Sequence, residues 1–345
     1  ADRRQRQMCI RDRVQTHPLV RWSGQFNDRR SPMPLSSQRE HSRVSTASTI
    51  CCAGEVMVEI APSGAPGLYQ RGVAGDTFNT AVYLARLGCK VRYLTRLGND
   101  PCSGDILNRL RAERIDDRLV QQAVGRQPGL YLIDNDARGE RHFTYWRDQS
   151  PARETFNTVP AVGDVDAFYF TGITLAVCRD GLENLLTLLD NLRSRDCRIV
   201  FDPNYRPALW DSGEQARDHY RAVLTQCDML LPTLEDEVRL WGIDNVARCA
   251  DFYREAGARE VVIKAPDLSA HGFSEGESVV IAATPVDAVD TTGAGDAFNA
   301  GYLARRLQGK DLGEAISAGQ RLAAITVQHR GAIVPGEHMT LGEDT

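Results

Sequence analysis

The sequence of 345 residues lacks several features that would assign it to common classes of protein. It has no run of about 18 apolar residues, which excludes a membrane-spanning helix. Its N-terminus has no apolar segment of about 7–15 residues, so we expect no secretory signal. No G-x-x-x-x-G-K-[ST] string is present, which excludes a Walker-type phosphate loop. Positive charge does not dominate either, with 41 basic against 46 acidic residues, so we expect neither nucleic acid nor a membrane as partner.

Cysteine and lysine are also informative through what they lack. The nine cysteines are odd in number and none has C-x-x-C spacing, which argues against a disulfide framework or a zinc site. We therefore expect core thiols in a reducing, cytoplasmic protein. Only three of the 41 basic residues are lysines, namely Lys90, Lys264 and Lys310.

The chain divides into an unusual first segment and a regular remainder. Residues 1–49 carry ten arginines against four acids, without an apolar period. We interpret residues 1–48 as a disordered or artefactual extension; an organelle transit peptide and a nucleic-acid arm are the alternatives. Residues 49–337 are predicted to form one domain, and residues 338–345 a tail.

The remainder alternates strand-like and helix-like segments. Thr49–Ala53, Val91–Leu97 and Ala167–Thr171 are apolar runs of strand length, whereas Thr77–Leu87 and Leu312–Val327 have helical spacing. Alternation of this kind predicts βαβ units. We therefore expect an α/β fold with three layers, in which helices flank a mainly parallel sheet.

A predicted β-hairpin interrupts this rhythm. Gly129–Ile133 and His142–Trp146 alternate on either side of the turn-forming residues 136–139, a pattern typical of a hairpin. The segments near 56–72 and 125–150 are predicted to form a small sheet that acts as a lid over a site.

The strongest chemical signal is the loop Asp290–Asp296, which follows a strand-like segment and opens a helix. Its glycines allow backbone N–H groups to approach an anion, and the helix N-terminus adds partial positive charge. Such a loop suits phosphoryl transfer. Gly293, Ala294 and Gly295 would stabilise the developing charge, while Asp296 would take the proton of the attacking hydroxyl.

This loop resembles the C-terminal signature of the ribokinase-like (PfkB) family of carbohydrate kinases. Residues 72–81 resemble the family's sugar-binding loop, with Ala74 in place of its first glycine. The resemblance covers about residues 48–337. It implies a ribokinase-like fold, ATP and Mg²⁺ as cofactors, and contacts to substrate hydroxyls from Gly75, Asp76 and Asn79.

Further segments resemble the branch of the family that phosphorylates 2-keto-3-deoxygluconate. They are Gly54-Glu55, Pro128–Tyr131, Tyr145–Arg147, Asp202–Trp210 and Arg330–Ala332. Glu55, which follows a strand, could face the sugar, with a solvent-facing strand end as the alternative. The resemblance implies transfer of phosphate to the 6-hydroxyl, with substrate contacts from Tyr131, Tyr145, Arg147 and Arg206. The chemistry of the substrate agrees with the two arginines, because a sugar acid of this kind carries one carboxylate. A planar guanidinium can form two parallel hydrogen bonds with a carboxylate.

The resemblance implies the remaining contacts less directly. Lys264, with Gly293 and Gly295, would bind the nucleotide, although Lys264 is followed by Ala265-Pro266 where relatives have a glycine turn. Glu237 would help to hold Mg²⁺; a charged helix start is the alternative. Asp290 would hold a monovalent cation, K⁺, with a turn role as the alternative.

Three other functions stay open at this point. One is a ribokinase-like kinase for fructose, ribose or a deoxy-keto inositol derivative. The second is a non-catalytic sugar-binding regulator on the same fold. The third, a nicotinamide-dependent dehydrogenase, lacks the expected G-x-G-x-x-G after the first strand. The family also implies a homo-oligomer.

Overall fold

The computed structural model describes residues 48–65, 67–135 and 141–339. Except for Ser48, the predicted extension lies outside the described residues, as do the turn-forming residues 136–139 and the tail from residue 340. Within the described ranges, no helix combines the length and the apolar character that crossing a bilayer demands.

The described chain forms thirteen strands and nine α-helices. The strands are β1 (Thr49–Ala53), β2 (Met57–Pro62), β3 (Tyr69–Ala74), β4 (Lys90–Leu97), β5 (Val120–Gln122), β6 (Leu130–Asn135), β7 (Arg141–Trp146), β8 (Ala167–Thr171), β9 (Arg198–Asp202), β10 (Met229–Leu230), β11 (Glu260–Lys264), β12 (Ser269–Ser274) and β13 (Glu277–Ala282). The helices are α1 (Asp76–Arg86), α2 (Pro101–Ala112), α3 (Gly172–Val177), α4 (Leu182–Arg193), α5 (Gly213–Leu224), α6 (Leu234–Trp241), α7 (Val246–Glu255), α8 (Ala294–Leu307) and α9 (Leu312–Val327).

Nine strands form a central sheet in the order β13-β12-β11-β10-β9-β8-β1-β4-β5. The seven strands from β11 to β5 are parallel, whereas β12 and β13 form an antiparallel hairpin at one edge. The prediction of a mainly parallel sheet is therefore confirmed. The edge hairpin, which was not predicted, turns at Gly276, whose φ of 75° suits glycine.

Both faces of this sheet are buried, because successive residues of β1 enter different cores. Cys51 and Ala53 pack with α3 to α7, while Ile50 and Cys52 pack with α1, α2, α8 and α9. Side chains of a strand alternate between its two faces, so helices cover both sides. The predicted three layers are confirmed, and most of the described cysteines are buried free thiols, as expected.

The predicted hairpin is part of a second, four-stranded sheet in the order β3-β2-β6-β7. β6 and β7 pair antiparallel, as the hairpin pattern indicates, and β2 pairs parallel with β6. β3, which pairs antiparallel with β2, falls in a stretch rich in glycine and proline. We call these four strands the lid sheet.

Candidate active site

A cavity of about 990 Å³ lies where the carboxyl ends of the parallel strands meet the lid sheet. Open α/β sheets bind ligands at this edge. The cavity brings together nearly all of the residues that the sequence singles out. They are Gly75, Asp76, Asn79, Tyr131, Tyr145, Arg147, Arg206, Lys264, Gly293, Ala294, Gly295 and Asp296.

The loop before α8 has the geometry of an anion site. Gly293 is the N-cap of α8 with a φ of 77°, and a Cβ there would lie 2.7 Å from the carbonyl oxygen of Ala332. Only glycine fits this position. The N–H groups that follow open the helix, where the first amides have no acceptor within the helix. They can therefore donate to an anion in the cavity, although the N–H of Ala294 also contacts the carbonyl oxygen of Thr291 at 3.3 Å.

Asp296 lies in the first turn of α8 and lines the cavity. The side-chain amide of Asn79 donates a hydrogen bond to its Oδ2 atom at 2.8 Å. Burial, with the nearby carboxylate of Asp76, raises the pKa of Asp296 to about 8, against the opposing effect of the Asn79 hydrogen bond. A carboxyl group with such a pKa is suited to accept a proton near neutral pH.

Further carboxylates surround Asp296. Asp76 accepts hydrogen bonds from the hydroxyl of Thr171 at 2.5 Å and the amide of Asn204 at 3.2 Å, and burial raises its pKa. Asp202 is the last residue of β9 and accepts from the amide of Asn299 at 2.7 Å. This concentration of negative charge favours the binding of cations in the cavity.

Lys264 supplies positive charge beside these carboxylates. Its Nζ lies 3.6 Å from Asp202 and donates to the Oδ1 atom of Asn299 at 3.0 Å. Asn299 thus bridges the lysine and the aspartate. The atypical residues Ala265 and Pro266 also line the cavity, beside small apolar side chains of α9.

The sugar-loop signature places Gly75 and Asn79 at the start of α1. A Cβ at Gly75 would lie 2.4 Å from the carbonyl oxygen of Glu55, so the close approach of two backbone segments requires glycine. Asn79 accepts from the N–H of Gly75 at 3.4 Å and donates to Asp296. Its amide therefore orients the acid, a role that differs from the predicted contact with substrate hydroxyls.

Arg147 follows β7 and faces the cavity from the lid sheet. Its guanidinium forms an ion pair with Oε2 of Glu55, whose side chain is 1% exposed. The guanidinium also lies 5.6 Å from the ring centre of Tyr145. The Oε1 atom of Glu55 is buried without a hydrogen-bond partner among the described residues, so Glu55 retains an acceptor beside Arg147.

Arg206 approaches the cavity from the loop after β9. Its Nη1 donates to the Oδ2 atom of Asp236 at 3.0 Å and to the carbonyl oxygen of Tyr205 at 2.9 Å. The side chain is 48% exposed, so the remaining donors of the guanidinium are accessible to a ligand.

The aromatic residues of the lid sheet form one cluster over the cavity. The ring of Tyr131 lies 5.7 Å from that of Tyr145 and 6.1 Å from that of Phe143. The hydroxyl of Tyr131 donates to Glu59 at 2.5 Å. Its ring thus lines the cavity while its hydroxyl is engaged by a residue of β2.

Two predicted residues do not belong to the cavity lining. Glu237 is fully buried, and its Oε2 atom accepts from the hydroxyl of Tyr253 at 2.6 Å; its neighbours Glu235 and Asp236 line the cavity instead. Asp290 is buried behind the anion loop, where it accepts from Arg141, Thr292 and Gly331. Direct contact of Glu237 with a metal in the cavity does not fit this position.

Several site residues have no individual role in the sequence-based prediction, including Asp202, Asn204, Asp236 and Asn299. For Asp202 and Asn204 a signal exists, because they stand at the end of a short apolar strand in an α/β pattern. Asn299 gives no such signal. It lies one turn after Asp296 on α8 and reads as an ordinary helix residue.

Comparisons with known proteins agree with this geometry. Residues 48–339 match the family described as pfkB family carbohydrate kinase. A relative, the 2-dehydro-3-deoxygluconokinase of Escherichia coli strain K12, is 37% identical over 305 residues, which cover 84% of this chain and 98% of the relative.

Solved structures resemble the fold as well. The 2-dehydro-3-deoxygluconokinase of Thermotoga maritima has a TM-score of 0.77 at 21% identity, covering 84% of this chain and 95% of its own. A fructokinase double mutant from Vibrio cholerae O395, solved in its fructose-, ADP- and potassium-bound form, has a TM-score of 0.73 at 21% identity, covering 83% and 94%. The chain belongs to the pfkB family of carbohydrate kinases.

Proposed function

We propose that the protein is an ATP-dependent kinase that phosphorylates 2-dehydro-3-deoxy-D-gluconate at its 6-hydroxyl, giving 2-dehydro-3-deoxy-6-phosphogluconate. One observation carries the choice of substrate class. Arg147 and Arg206 line the same cavity as Asp296 and the anion loop. Two guanidinium groups in one sugar site suit a carboxylate, and the relative from E. coli carries the name of this activity.

The transfer needs a base and a site for negative charge. The carboxylate of Asp296 takes the proton of the 6-hydroxyl. The oxygen of that hydroxyl then bonds to the γ-phosphorus of ATP, while the bond between this phosphorus and the oxygen of the β-phosphate breaks. The N–H groups after Gly293 donate to the phosphoryl oxygens during this step. ADP leaves with the electrons of the broken bond.

The arginines orient the substrate at the opposite end from the reacting hydroxyl. Glu55 holds Arg147 through one carboxylate oxygen, which fixes the direction of the remaining guanidinium N–H groups. Asp236 does the same for Arg206. Orientation of this kind places the hydroxyl near the phosphorus before reaction.

The nucleotide fits the part of the cavity beside α9. Ala323, Ala324 and Val327 of this helix line the cavity with Pro266, and small apolar side chains of this kind suit a planar base. Lys264 lies between this region and Asp202, where we propose that it meets the phosphates.

Mg²⁺ fits the donor set of the cavity. It favours oxygen ligands and is held in kinases by one or two carboxylates together with phosphates. Glu235 lines the cavity at the start of α6, and we propose it as the residue that holds the ion, directly or through water. Its neighbour Asp236 is already engaged by Arg206 at 3.0 Å and by Arg239 at 3.5 Å. When bound, Mg²⁺ would neutralise negative charge on the phosphates.

A monovalent cation does not fit at Asp290. Its Oδ1 atom accepts from Arg141 at 2.7 Å and from the N–H and hydroxyl of Thr292 at 3.1 and 2.8 Å. Its Oδ2 atom accepts from the N–H of Gly331 at 2.6 Å. Both oxygens are engaged by donors, and one of those donors is already a cation.

Two further proposals concern the cellular compartment and the oligomeric state. The free thiols of the described chain support a reducing compartment such as the cytoplasm. The homo-oligomer stays a prediction, supported by the exposed apolar side chains Tyr69 and Trp146 of the lid sheet.

A coupled assay of ADP release tests the function. We expect turnover with 2-dehydro-3-deoxy-D-gluconate and little with ribose, fructose or other sugars without a carboxylate. Arg206→Ala should raise the KM for the sugar acid about 10–100-fold, because a hydrogen bond to a charged group contributes about 1.5–3 kcal/mol.

Arg217→Ala is the matched control, because Arg217 contacts a carbonyl oxygen outside the cavity. Preferred turnover of a neutral sugar, unaffected by Arg206→Ala, would refute the sugar-acid assignment. Absence of ATP consumption with any sugar, despite ATP binding, would point to the non-catalytic regulator.

A further inference from the structure

Arg141, the first residue of β7, joins the lid sheet to the segment before the anion loop. Its Nη1 atom donates to Oδ1 of Asp290 at 2.7 Å and to the hydroxyl of Thr292 at 3.0 Å. The side chain of Asp290 is 4% exposed and that of Arg141 31%. One guanidinium nitrogen thus contacts two residues, Asp290 and Thr292, of the loop that leads into α8.

The ion pair lies behind the anion loop. Thr291, Thr292 and Gly293 line the cavity, whereas Arg141 and Asp290 do not. The charge of Arg141 therefore acts on the loop from its far side, without taking space that the phosphates would use.

Asp290 is held as a carboxylate by its donors. Although burial opposes ionisation, the hydrogen bonds from Gly331 and Thr292 and the charge of Arg141 lower its pKa. A buried carboxylate needs a positive partner, and Arg141 is such a partner.

We propose that the guanidinium of Arg141 performs the task of a monovalent cation at this loop, so that phosphoryl transfer by this protein requires no K⁺. Arg141 is a positioning residue: it neutralises Asp290 and fixes the segment Asp290–Thr292 from which the anion loop starts. The inference rests on the proposed kinase function. Because the arginine belongs to the lid sheet, it also ties the position of that sheet to the order of the loop.

The first test varies the cation around the unaltered protein. Initial rates with the sugar acid and Mg·ATP are measured in KCl, NaCl and choline chloride at equal ionic strength. We expect the same kcat and KM in all three. A clear requirement for K⁺ in the unaltered protein would overturn the proposal.

The second test removes the charge. Arg141→Met keeps the aliphatic stem, and we expect kcat to fall about tenfold or more because the loop loses its anchor. K⁺ should restore part of this rate, whereas choline should not. Arg141→Lys should retain more activity than Arg141→Met. If Arg141→Met matches the unaltered protein in rate and in cation response, the proposal fails.

Arg71→Met is the matched control, because Arg71 lies on lid strand β3 and pairs with Asp105 at the surface. It should leave rate and cation response unchanged. If K⁺ raised the rate of Arg71→Met as much as that of Arg141→Met, a specific role for Arg141 would be refuted.

A binding measurement separates this inference from the proposed function. The rise in melting temperature caused by Mg·ATP is measured in KCl and choline chloride without any sugar. We expect equal rises for the unaltered protein, and a larger rise in KCl for Arg141→Met. This readout stands even if the sugar acid is not a substrate, and a K⁺-dependent rise in the unaltered protein would overturn the inference alone.

Discussion

The side-chain amide of Asn79 donates a hydrogen bond to the Oδ2 atom of Asp296 at 2.8 Å. This contact joins the sugar loop at the start of α1 to the first turn of α8, which are 217 residues apart in the chain. A hydrogen bond to a carboxylate favours its charged form. Asn79 therefore works against burial and against Asp76, both of which raise the pKa of Asp296.

The first prediction concerns pH. Because the pKa of Asp296 is raised to about 8 and the base acts when deprotonated, kcat/KM should rise with pH and level off above about 8. Asn79→Ala removes the hydrogen bond that favours the carboxylate, so the pKa of Asp296 should rise further. The rising limb of the curve of kcat/KM against pH should therefore lie at higher pH in this variant. The measurement is the pH dependence of kcat/KM for both proteins.

Asn245→Ala serves as a comparison, since Asn245 caps α7 away from the cavity. This variant should lose some stability, while the pH at which kcat/KM rises should stay the same. A rising limb near pH 4 in the unaltered protein would contradict the predicted environment of Asp296.

The second prediction concerns turnover. Asp296→Asn keeps the shape of the side chain and an acceptor for Asn79 but removes the base. We expect kcat to fall about 10²–10⁴-fold, while the affinity for Mg·ATP stays close to its original value. Turnover is measured by ADP release and affinity by calorimetry.

Asp311→Asn is the control, because Asp311 caps α9 and asparagine is an equally good cap. Its kcat should not change. If Asp296→Asn retained full turnover, Asp296 would not be the base.

The predictable part of the site consists of residues whose chemistry is local in sequence. The loop Asp290–Asp296 contains its own glycines and its own acid, and Arg147 follows a strand whose alternation is visible. Asn79 with Asp296 and Arg141 with Asp290 are 217 and 149 residues apart. The first contact depends on how α1 meets α8, and the second on how the lid sheet meets the loop before α8; no local pattern encodes either.

The secondary structure also contains elements that the sequence predicts and elements that it does not. β1, β8 and α9 match their predicted bounds, because long or fully buried segments carry a clear apolar pattern. β5 has three residues, too few for any periodicity. β3 contains Gly72 and is mostly exposed or half-buried, so it forms because β2 offers an edge and not through its own propensity.

The third prediction concerns Glu55, which lies beneath Arg147. Glu55→Gln keeps the size of the side chain but removes the charge that fixes the guanidinium. We expect the KM for the sugar acid to rise about tenfold, since a hydrogen bond between charged groups is roughly twice as strong as a neutral one, and the KM for ATP to stay the same. Initial-rate kinetics with each substrate varied in turn provide the check.

Glu314→Gln, on the exposed surface of α9, is the matched control and should change neither constant. An equal rise in both KM values for Glu55→Gln would indicate a general loss of structure instead of a loosened arginine.

The fourth prediction concerns stability at Asp296. The pKa of its carboxyl is about 8 in the folded chain and about 3.9 in an unfolded one. A raised pKa means that the folded state binds the proton more tightly, so this contribution is complete below about pH 4 and is lost as pH rises towards 8. Asp296→Asn should thus be the more stable protein at pH 8–9, by on the order of a few kcal/mol.

Thermal unfolding from pH 5 to 9 measures this difference without ligands. The gap between the melting temperatures of Asp296→Asn and the unaltered protein should widen as pH rises. A gap that stays constant would mean that Asp296 ionises in the folded chain as it does in water.

The fifth prediction concerns Glu237, which was predicted to help hold Mg²⁺. Burial raises its pKa to about 8 against the hydrogen bond from Tyr253, so it is mainly protonated at neutral pH. Glu237→Gln keeps an acceptor for the tyrosine hydroxyl and should match the stability of the unaltered protein near pH 4, where glutamate is protonated in the folded and the unfolded chain alike. As pH rises from about 4 to about 8 the variant should become the more stable, because the unaltered protein must keep, on folding, a proton that its unfolded chain releases.

The same variant tests the metal. Because Glu237 lies outside the cavity lining while Glu235 is part of it, the Mg²⁺ concentration that gives half-maximal turnover should not change in Glu237→Gln. It should rise in Glu235→Gln, which leaves the ion pair of Asp236 with Arg206 in place. A rise in Glu237→Gln alone would return the metal to Glu237 and displace Glu235 from that role.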